Sequence, residues 1–415
     1  MYSRRQQRQL AAATGLVLAM AAGACSTSDS SSSSPSGGDC SSPGVSQKEI
    51  KVGFIYPDTG LVAATAQPAR AGAEARIALA NADGGVHGRQ IVIDWRDDAS
   101  SPDTNFTAAK DLVENAGVFG LIEASGTTAN SADYLSQKEV PVTGLALEPV
   151  WSDHENMIAA VQPYAKGSTT TFGDYVRQAG GRQAFLVTYP GASAGDNITK
   201  KMTESLTSQG IPVVGQTEFV DGVSSPAKVA ADFAKSGADV LTVVSTAATL
   251  GSVVAALRSS GTEFKLAFGP EGYDRSLLAT YGSKIAGMGV YIYYTPFETQ
   301  SPAIKEYEAA MNEYSPELAD AHQIFAMHGF IGADLFLRGL DLAGACPTRE
   351  GFIKGLRNAK YDAGGLLPAP VDLTRSQSNN CYVFMRVNST GTAFESVPSD
   401  GGSNLQWCGK QITDQ

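Results

Sequence analysis

Residues 50–57 read IKVGFIYP, a short apolar run with a single charge, closed by a proline. A run this brief and this apolar fits a strand buried on both faces. Working outward, a helix is expected from Pro68, with Ala69, Ala73, Ile77 and Ala80 on one face and proline at a favoured first position. Asp83-Gly84-Gly85 ends it. Strands are then expected at 90–97, 118–124 and 140–147, with helices at 102–115 and about 128–137 between them. A second series has strands at 183–189, 213–220, 239–245, 265–269 and 289–294, and helices near 196–208, 227–235, 250–259 and 275–281. Two βα series, starting near 50 and 183, imply an α/β chain of two lobes, each a parallel sheet covered by helices. Helices at 302–314 and 322–342 follow, then a tail with little helix signal. That tail has no sheet of its own, so it is expected to return across both lobes. The first lobe is then 48–164 plus about 297–375, and the second 165–296 plus about 376–415.

The chain has 415 residues, 43% hydrophobic and 18% charged, which excludes a disordered chain or a coiled coil. Its formal net charge of -11 repels phosphate backbones, so nucleic acid is not an expected partner. Arg4, Arg5 and Arg8 precede an apolar stretch at 10–22 that is too short to cross a bilayer, the pattern of a signal peptide over 1–24. Ala22-Gly23-Ala24-Cys25 is similar to a bacterial lipobox, with Ala22 where leucine is preferred, so Cys25 is expected to carry lipid. The Ser-rich stretch that follows reads as a tether, giving a 25–47 linker and an exported protein anchored to the outer face of the membrane.

Cys40, Cys346, Cys381 and Cys408 remain, an even set in an oxidising compartment with three possible pairings. Sequence does not choose among them; Cys346–Cys381 with Cys40–Cys408 is favoured because the second bond would tie the chain ends. No CxxC or HExxH spacing is present and the four histidines form no ligand pattern, so neither a metal nor a cofactor is expected. Ligands of open α/β sheets bind beyond the carboxyl ends of the strands, which directs attention to the loops at 58–67, 125–130, 146–151, 190–196, 246–249, 270–274 and 295–298. One of these, GASAG at 191–195, matches G-x-S-x-G with Ser193 at its centre, and His322 and His328 follow in the order a hydrolase base would take. No HGGG-type sequence accompanies it, and the chain is expected not to be an enzyme.

Lys51-Val-Gly-Phe-Ile-Tyr-Pro57, Asn81-Ala-Asp-Gly-Gly-Val-His-Gly-Arg89, Asp97-Asp-Ala-Ser-Ser-Pro102, Val140-Pro-Val142 and Gly269-Pro-Glu-Gly272 occur in this order. Their order and spacing, from about 48 to 395, resemble the Leu/Ile/Val-type (type I) periplasmic solute-binding proteins of ABC transporters. The resemblance implies two Rossmann-like lobes, joined by three crossovers, that close on a small solute and present it to an ABC permease. It also implies a first-lobe hydroxyl and backbone amides on the ligand carboxylate, and tyrosines and a glutamate of the second lobe on the rest. Carried over, the glutamate falls on Glu271 and meets an α-ammonium. The hydroxyl falls among Ser125, Thr127 and Thr128, and Ala146 and Glu148 lie near the ligand.

Ser193, Ala194, Thr246 and Tyr273 complete the expected ligand set. Each has a structural alternative: N-capping for the hydroxyls, a helix-entry acid for Glu148, hinge packing for Tyr273. Glu148 stands where the family often has threonine, Ala194 where tyrosine is common, and Thr65 where an aromatic is common, which points away from a branched-chain amino acid toward a more polar or cationic solute. The expected function is an extracytoplasmic solute-binding lipoprotein for a small polar solute, an amino acid or derivative. A ligand-sensing lipoprotein feeding a signalling receptor is the alternative, and a secreted serine hydrolase a remote one.

Overall fold

The computed structural model describes residues 40–60, 62–163, 167–189, 193–374 and 380–412, with backbone only at 193–195. The run at 50–57 forms β1 (Glu49–Tyr56), buried on both faces. Ile50, Val52, Phe54 and Tyr56 join one apolar cluster, while Ile55 joins another with Leu112 and Leu121. After it come α1 (Ala63–Ala66), α2 (Pro68–Ala82), β2 (Gln90–Asp97), α3 (Pro102–Asp111), β3 (Gly120–Glu123), α4 (Ala129–Gln137), β4 (Val142–Leu145) and β5 (Met157–Val161). The five strands pair in parallel in the order β2-β1-β3-β4-β5.

The chain then leaves this sheet. β6 (Ser168–Thr169) and α5 (Thr171–Gln178) lead into β7 (Ala184–Thr188), α6 (Ser193–Ser208), β8 (Val213–Glu218), α7 (Pro226–Ser236), β9 (Val240–Val244), α8 (Ala247–Ser259), β10 (Leu266–Gly269), α9 (Arg275–Tyr281) and β11 (Met288–Ile292). These strands repeat the first arrangement, β8-β7-β9-β10-β11, again parallel.

Two further passages join the sheets. After β11 come α10 (Pro302–Tyr314) and α11 (Ile324–Ala343), and both pack on α2 beside the first sheet. α12 (Arg349–Arg357) stays there, followed by the small pair β12 (Lys360–Tyr361) and β13 (Val371–Asp372). The chain then returns to the second sheet as β14 (Cys381–Val387), β15 (Phe394–Val397) and β16 (Gln406–Cys408), and ends in β17 (Gln411–Ile412), which pairs with β6. β14 adds antiparallel to β11, and β15 and β16 add antiparallel to β14. The second sheet is therefore mixed, where a wholly parallel one was expected.

The tail also holds helix α12 despite its weak signal. Gly351 and Gly355 dilute the helix propensity of REGFIKGLR, but Thr348 caps it by accepting from Gly351 N at 3.0 Å, and Phe352 and Leu356 are buried. β5 and α5 were likewise not expected from sequence.

α11 lies close against its neighbours. A Cβ at Gly329 would stand 1.9 Å from the Ala69 carbonyl oxygen, and one at Gly72 would stand 1.9 Å from that of Ala326, so α2 and α11 touch backbone to backbone. On the sheet side Thr143 Oγ1 donates to Gly332 O at 2.9 Å, and a Cβ at Gly332 would be 3.0 Å from the Gly144 Cα.

The disulfides are Cys40–Cys346 and Cys381–Cys408, which corrects both favoured pairings. Cys381 and Cys408 stand opposite each other in the β14/β16 register, a placement decided by strand pairing. Cys40 begins a segment stitched to the α11–α12 turn: Ser42 Oγ donates to Pro347 O at 2.6 Å, and Arg89 bridges Ser46 O and Ala345 O at 2.7 Å each. That stitching delivers Cys346 to Cys40. Cys25, the expected lipid site, lies outside the described residues. Among the described residues no helix is long and apolar enough to cross a membrane.

Peptide mapping of the non-reduced protein is expected to recover the Cys40–Cys346 and Cys381–Cys408 crosslinks and neither of the other two pairings. Gly329→Ala should cost about 1–3 kcal/mol by overpacking α2 against α11, read from urea unfolding.

Candidate functional site

In each sheet the strand order reverses at the first strand. β1 has β2 on one side and β3 on the other, and β7 is flanked by β8 and β9 in the same way. Connections leave such a point to opposite faces and open a crevice at the carboxyl ends. α11 brings the two crevices together. Its Phe336 packs on Gly120 at the start of β3 and its Gly332 on Gly144 near the end of β4, so the helix runs against the strands. Its first turns, Phe325 and His328, therefore lie at the carboxyl end of the first sheet. Tyr293 and Tyr294, just past the carboxyl end of β11, contact His328 with ring centroids at 6.2 and 5.7 Å. The carboxyl ends of both sheets thus converge on one buried histidine. Burial lowers His328 to about 4, so it stays neutral at ordinary pH and is a weak proton acceptor.

On the first-sheet side the expected hydroxyls are present but engaged. Asp98, which follows β2, is fully buried. Its Oδ2 accepts from Ser125 Oγ, from Thr127 Oγ1 at 3.1 Å and from Asn105 Nδ2 at 3.3 Å. Glu148 Oε2 accepts from Thr128 N, from Thr128 Oγ1 at 2.9 Å and from Ala129 N at 3.0 Å, and Trp151 Nε1 donates to Thr128 Oγ1 at 3.1 Å. Glu148 therefore closes the N-terminus of α4. Burial raises its carboxyl, with the Thr128 and Ala129 bonds pulling the other way. Ala146 is buried beside β5, its N–H reaching Val161 O at 3.4 Å.

Glu123, which ends β3, is a third acid in this group. Its Oε2 accepts from Asn105 Nδ2 at 3.4 Å, and its Oε1 is buried with no partner among the described residues. Burial first, then Asp98 and Glu148 nearby, push it up to about 8.

The second-sheet side repeats the pattern at α8. Thr246 caps that helix by accepting from Thr249 N at 3.1 Å and donates to Asp221 Oδ2 at 2.5 Å, while Thr249 Oγ1 donates to Asp221 Oδ1 at 2.8 Å. Glu271, after β10, differs from every acid above. It is half-buried, has no hydrogen-bond or ion-pair partner among the described residues, and desolvation pushes it up to about 7. Tyr273 is placed in the core: its hydroxyl donates to Glu298 and accepts from Phe297 N at 3.1 Å, and its ring stacks on Phe297. Phe297 in turn stacks on His322, whose Nε2 lies 2.6 Å from Glu308 Oε1. The side chains of Ser193 and Ala194 lie outside the described residues; their backbone opens α6.

Asp98, Glu123, Asp221 and Tyr294 escaped the sequence reading as site residues, and His328 entered it only as a candidate hydrolase base. Only Asp98 had a signal, since it sits inside the Asp97–Pro102 motif. Two surface depressions, one near Ser136, Glu155 and Lys354 and one near Asp174, Arg177 and Trp407, lie away from this convergence. Among the described residues no group of three or more His, Cys, Asp or Glu could hold a metal ion.

A profile of the periplasmic binding protein family matches residues 49–392. A Leu/Ile/Val-binding protein homologue of Brucella melitensis is 23% identical over 317 residues, covering 75% of this chain and 84% of the homologue. A branched-chain amino acid ABC transporter protein from Thermus thermophilus, solved with bound valine, superposes with a TM-score of 0.73 at 14% identity, covering 85% of this chain and 96% of that one. A solute-binding protein from Rhodopseudomonas palustris, solved with 3,4-dihydroxybenzoic acid, superposes with a TM-score of 0.70 at 19% identity, covering 88% and 98%. These two structures share the fold and hold chemically different solutes.

Glu123 holds its proton in the folded chain between its ordinary 4.5 and about 8, where the unfolded chain has released it. Folding stability should therefore fall as pH rises through that window. Glu123→Gln is expected to flatten that fall, measured by denaturant unfolding at the two ends of the window.

Proposed function

The chain belongs to the periplasmic binding protein family, a non-enzymatic family of ABC-transporter solute-binding proteins, and on that premise we propose that it captures a small polar solute bearing an ammonium group. The solute is of the amino acid or derivative class and sits where the carboxyl ends of the two sheets converge. The observation that carries this is Glu271. A carboxylate with no partner in a partly desolvated site is costly, and an ammonium brought against it makes a charge-assisted bond of about 1.5–3 kcal/mol. Tyr294 supports the same reading, because its buried hydroxyl has no partner among the described residues and it lies within electrostatic reach of Glu271. Binding selects a closed arrangement of the two halves about the Phe297, His322 and His328 contacts, with no chemistry done on the solute. The protein works outside the cytoplasm, held by lipid on Cys25 and a Ser-rich tether, and delivers its solute to an ABC permease.

A thermal-shift panel of amino acids, amino acid amides, polyamines and small acids tests this. A bound solute at 100 times its Kd should add about 2.7 kcal/mol of stability. Stabilisation by no ammonium-bearing member would overturn the reading. Glu271→Gln should weaken the ammonium-bearing solute at least tenfold, and unchanged affinity would remove Glu271 from the site. Because the ammonium needs the ionised acid, affinity should decline as pH drops below about 7, by about tenfold per unit well below it, and Glu271→Gln should flatten that profile in calorimetry.

A further inference from the structure

Helix N-termini and flanking hydroxyls at the carboxyl ends of parallel strands are places where a ligand carboxylate is ordinarily received. In this chain, acids of its own hold the places described. At α4 the Thr128 N–H, the Ala129 N–H and the Thr128 hydroxyl all converge on one oxygen of Glu148. In the loop before α4, the Ser125 and Thr127 hydroxyls converge on one oxygen of Asp98. At α8 the Thr246 and Thr249 hydroxyls go to the two oxygens of Asp221. Both sheets thus repeat one arrangement at their points of strand-order reversal, from residues unrelated in sequence. A solute carboxylate arriving there would find these donors taken and acidic side chains beside it. Displacing Glu148 would leave that acid, now 8% exposed, desolvated without its bonds. On the other side, Glu271 stands with no partner among the described residues.

We propose that the site takes an organic cation lacking a free carboxylate, because Asp98, Glu148 and Asp221 already occupy the donor groups that would hold one and Glu271 is left to receive the charged nitrogen. Glu148 is then the specificity-determining residue: it acts as an internal carboxylate in the place of the solute's. An amine whose acid group is absent, or blocked as an amide or ester, fits; the parent amino acid does not. This rests on the ammonium-capture reading above and narrows it.

The test is calorimetric titration of the intact chain with L-leucine, L-leucinamide and 1,4-diaminobutane. Leucinamide or diaminobutane is expected to bind, with leucine at least tenfold weaker than the better of the two. Leucine binding within tenfold of that amine, or alone, would overturn the inference while leaving ammonium capture standing. Silence from all three would count against ammonium capture itself, and the inference would fall with it. In the Glu148→Thr variant the α4 amides are freed, so leucine affinity should rise at least tenfold with leucinamide little changed; a folded variant with no gain for leucine would also overturn the inference. Should that variant fail to fold, the comparison of ligands on the unsubstituted chain decides alone.

Discussion

The close approach of α11 to α2 and to the first sheet is the constraint on which the molecule depends. Gly329 and Gly72 let the two helices meet backbone to backbone, and Gly332 lets α11 settle on β4 at Gly144. Because α11 runs against the strands, its first turns emerge at their carboxyl ends, where Tyr293 and Tyr294 of the second sheet reach His328. One helix of the returning chain therefore sets where the two crevices meet. The Phe297–His322 stack and the Tyr307 hydroxyl, which donates to Ala321 O at 2.6 Å, hold the approach to that helix. Interiors packed this tightly transmit strain rather than absorb it, so a small change at Gly329 would be felt in the site.

Around that meeting point the energetics are those of buried acids. Asp98 and Glu148 are tolerated in a dry environment because each accepts several donors, the condition under which a buried carboxylate stays affordable. Glu123 lacks enough donors and keeps its proton instead, as its rise to about 8 reflects. Glu271 has neither solution among the described residues. Four buried or half-buried acids share one physical problem, and only Glu271 has no hydrogen-bond or ion-pair partner among the described residues.

Much of the fold was legible because the signals are local. The apolar run at 50–57 and its successors gave strands at the expected places, and α3 and α10 start at Pro102 and Pro302 as expected, with Ser101 and Ser301 capping them. α12 was missed because Gly351 and Gly355 weaken a helix that its buried Phe352 and Leu356 then hold in place. The tail strands were missed because β14 is completed by pairing with β11, β15 and β16. At the candidate site the structural alternatives are the contacts seen, with Thr246 capping α8, Glu148 at the entry of α4 and Tyr273 packed on Phe297, while the acids Asp98 and Asp221 that hold the hydroxyls were not read from sequence. Ser125, Thr127, Thr128 and Thr246 are there, bonded to Asp98, Glu148 and Asp221, and Tyr273 turns into the core.

Periodicity and turn chemistry are properties of neighbouring residues, and they were enough to specify alternating strands and helices, two sheets, and the loops that follow the strands. Which acid takes which donor is settled by side chains brought within about 3 Å from different strands. Glu148 reaches Thr128 from the loop after the neighbouring strand, Asp98 reaches Ser125, and Cys40 finds Cys346 at a separation of 306 residues. Hydrogen bonds and disulfides act over a few ångströms, and only the packed tertiary structure sets such distances.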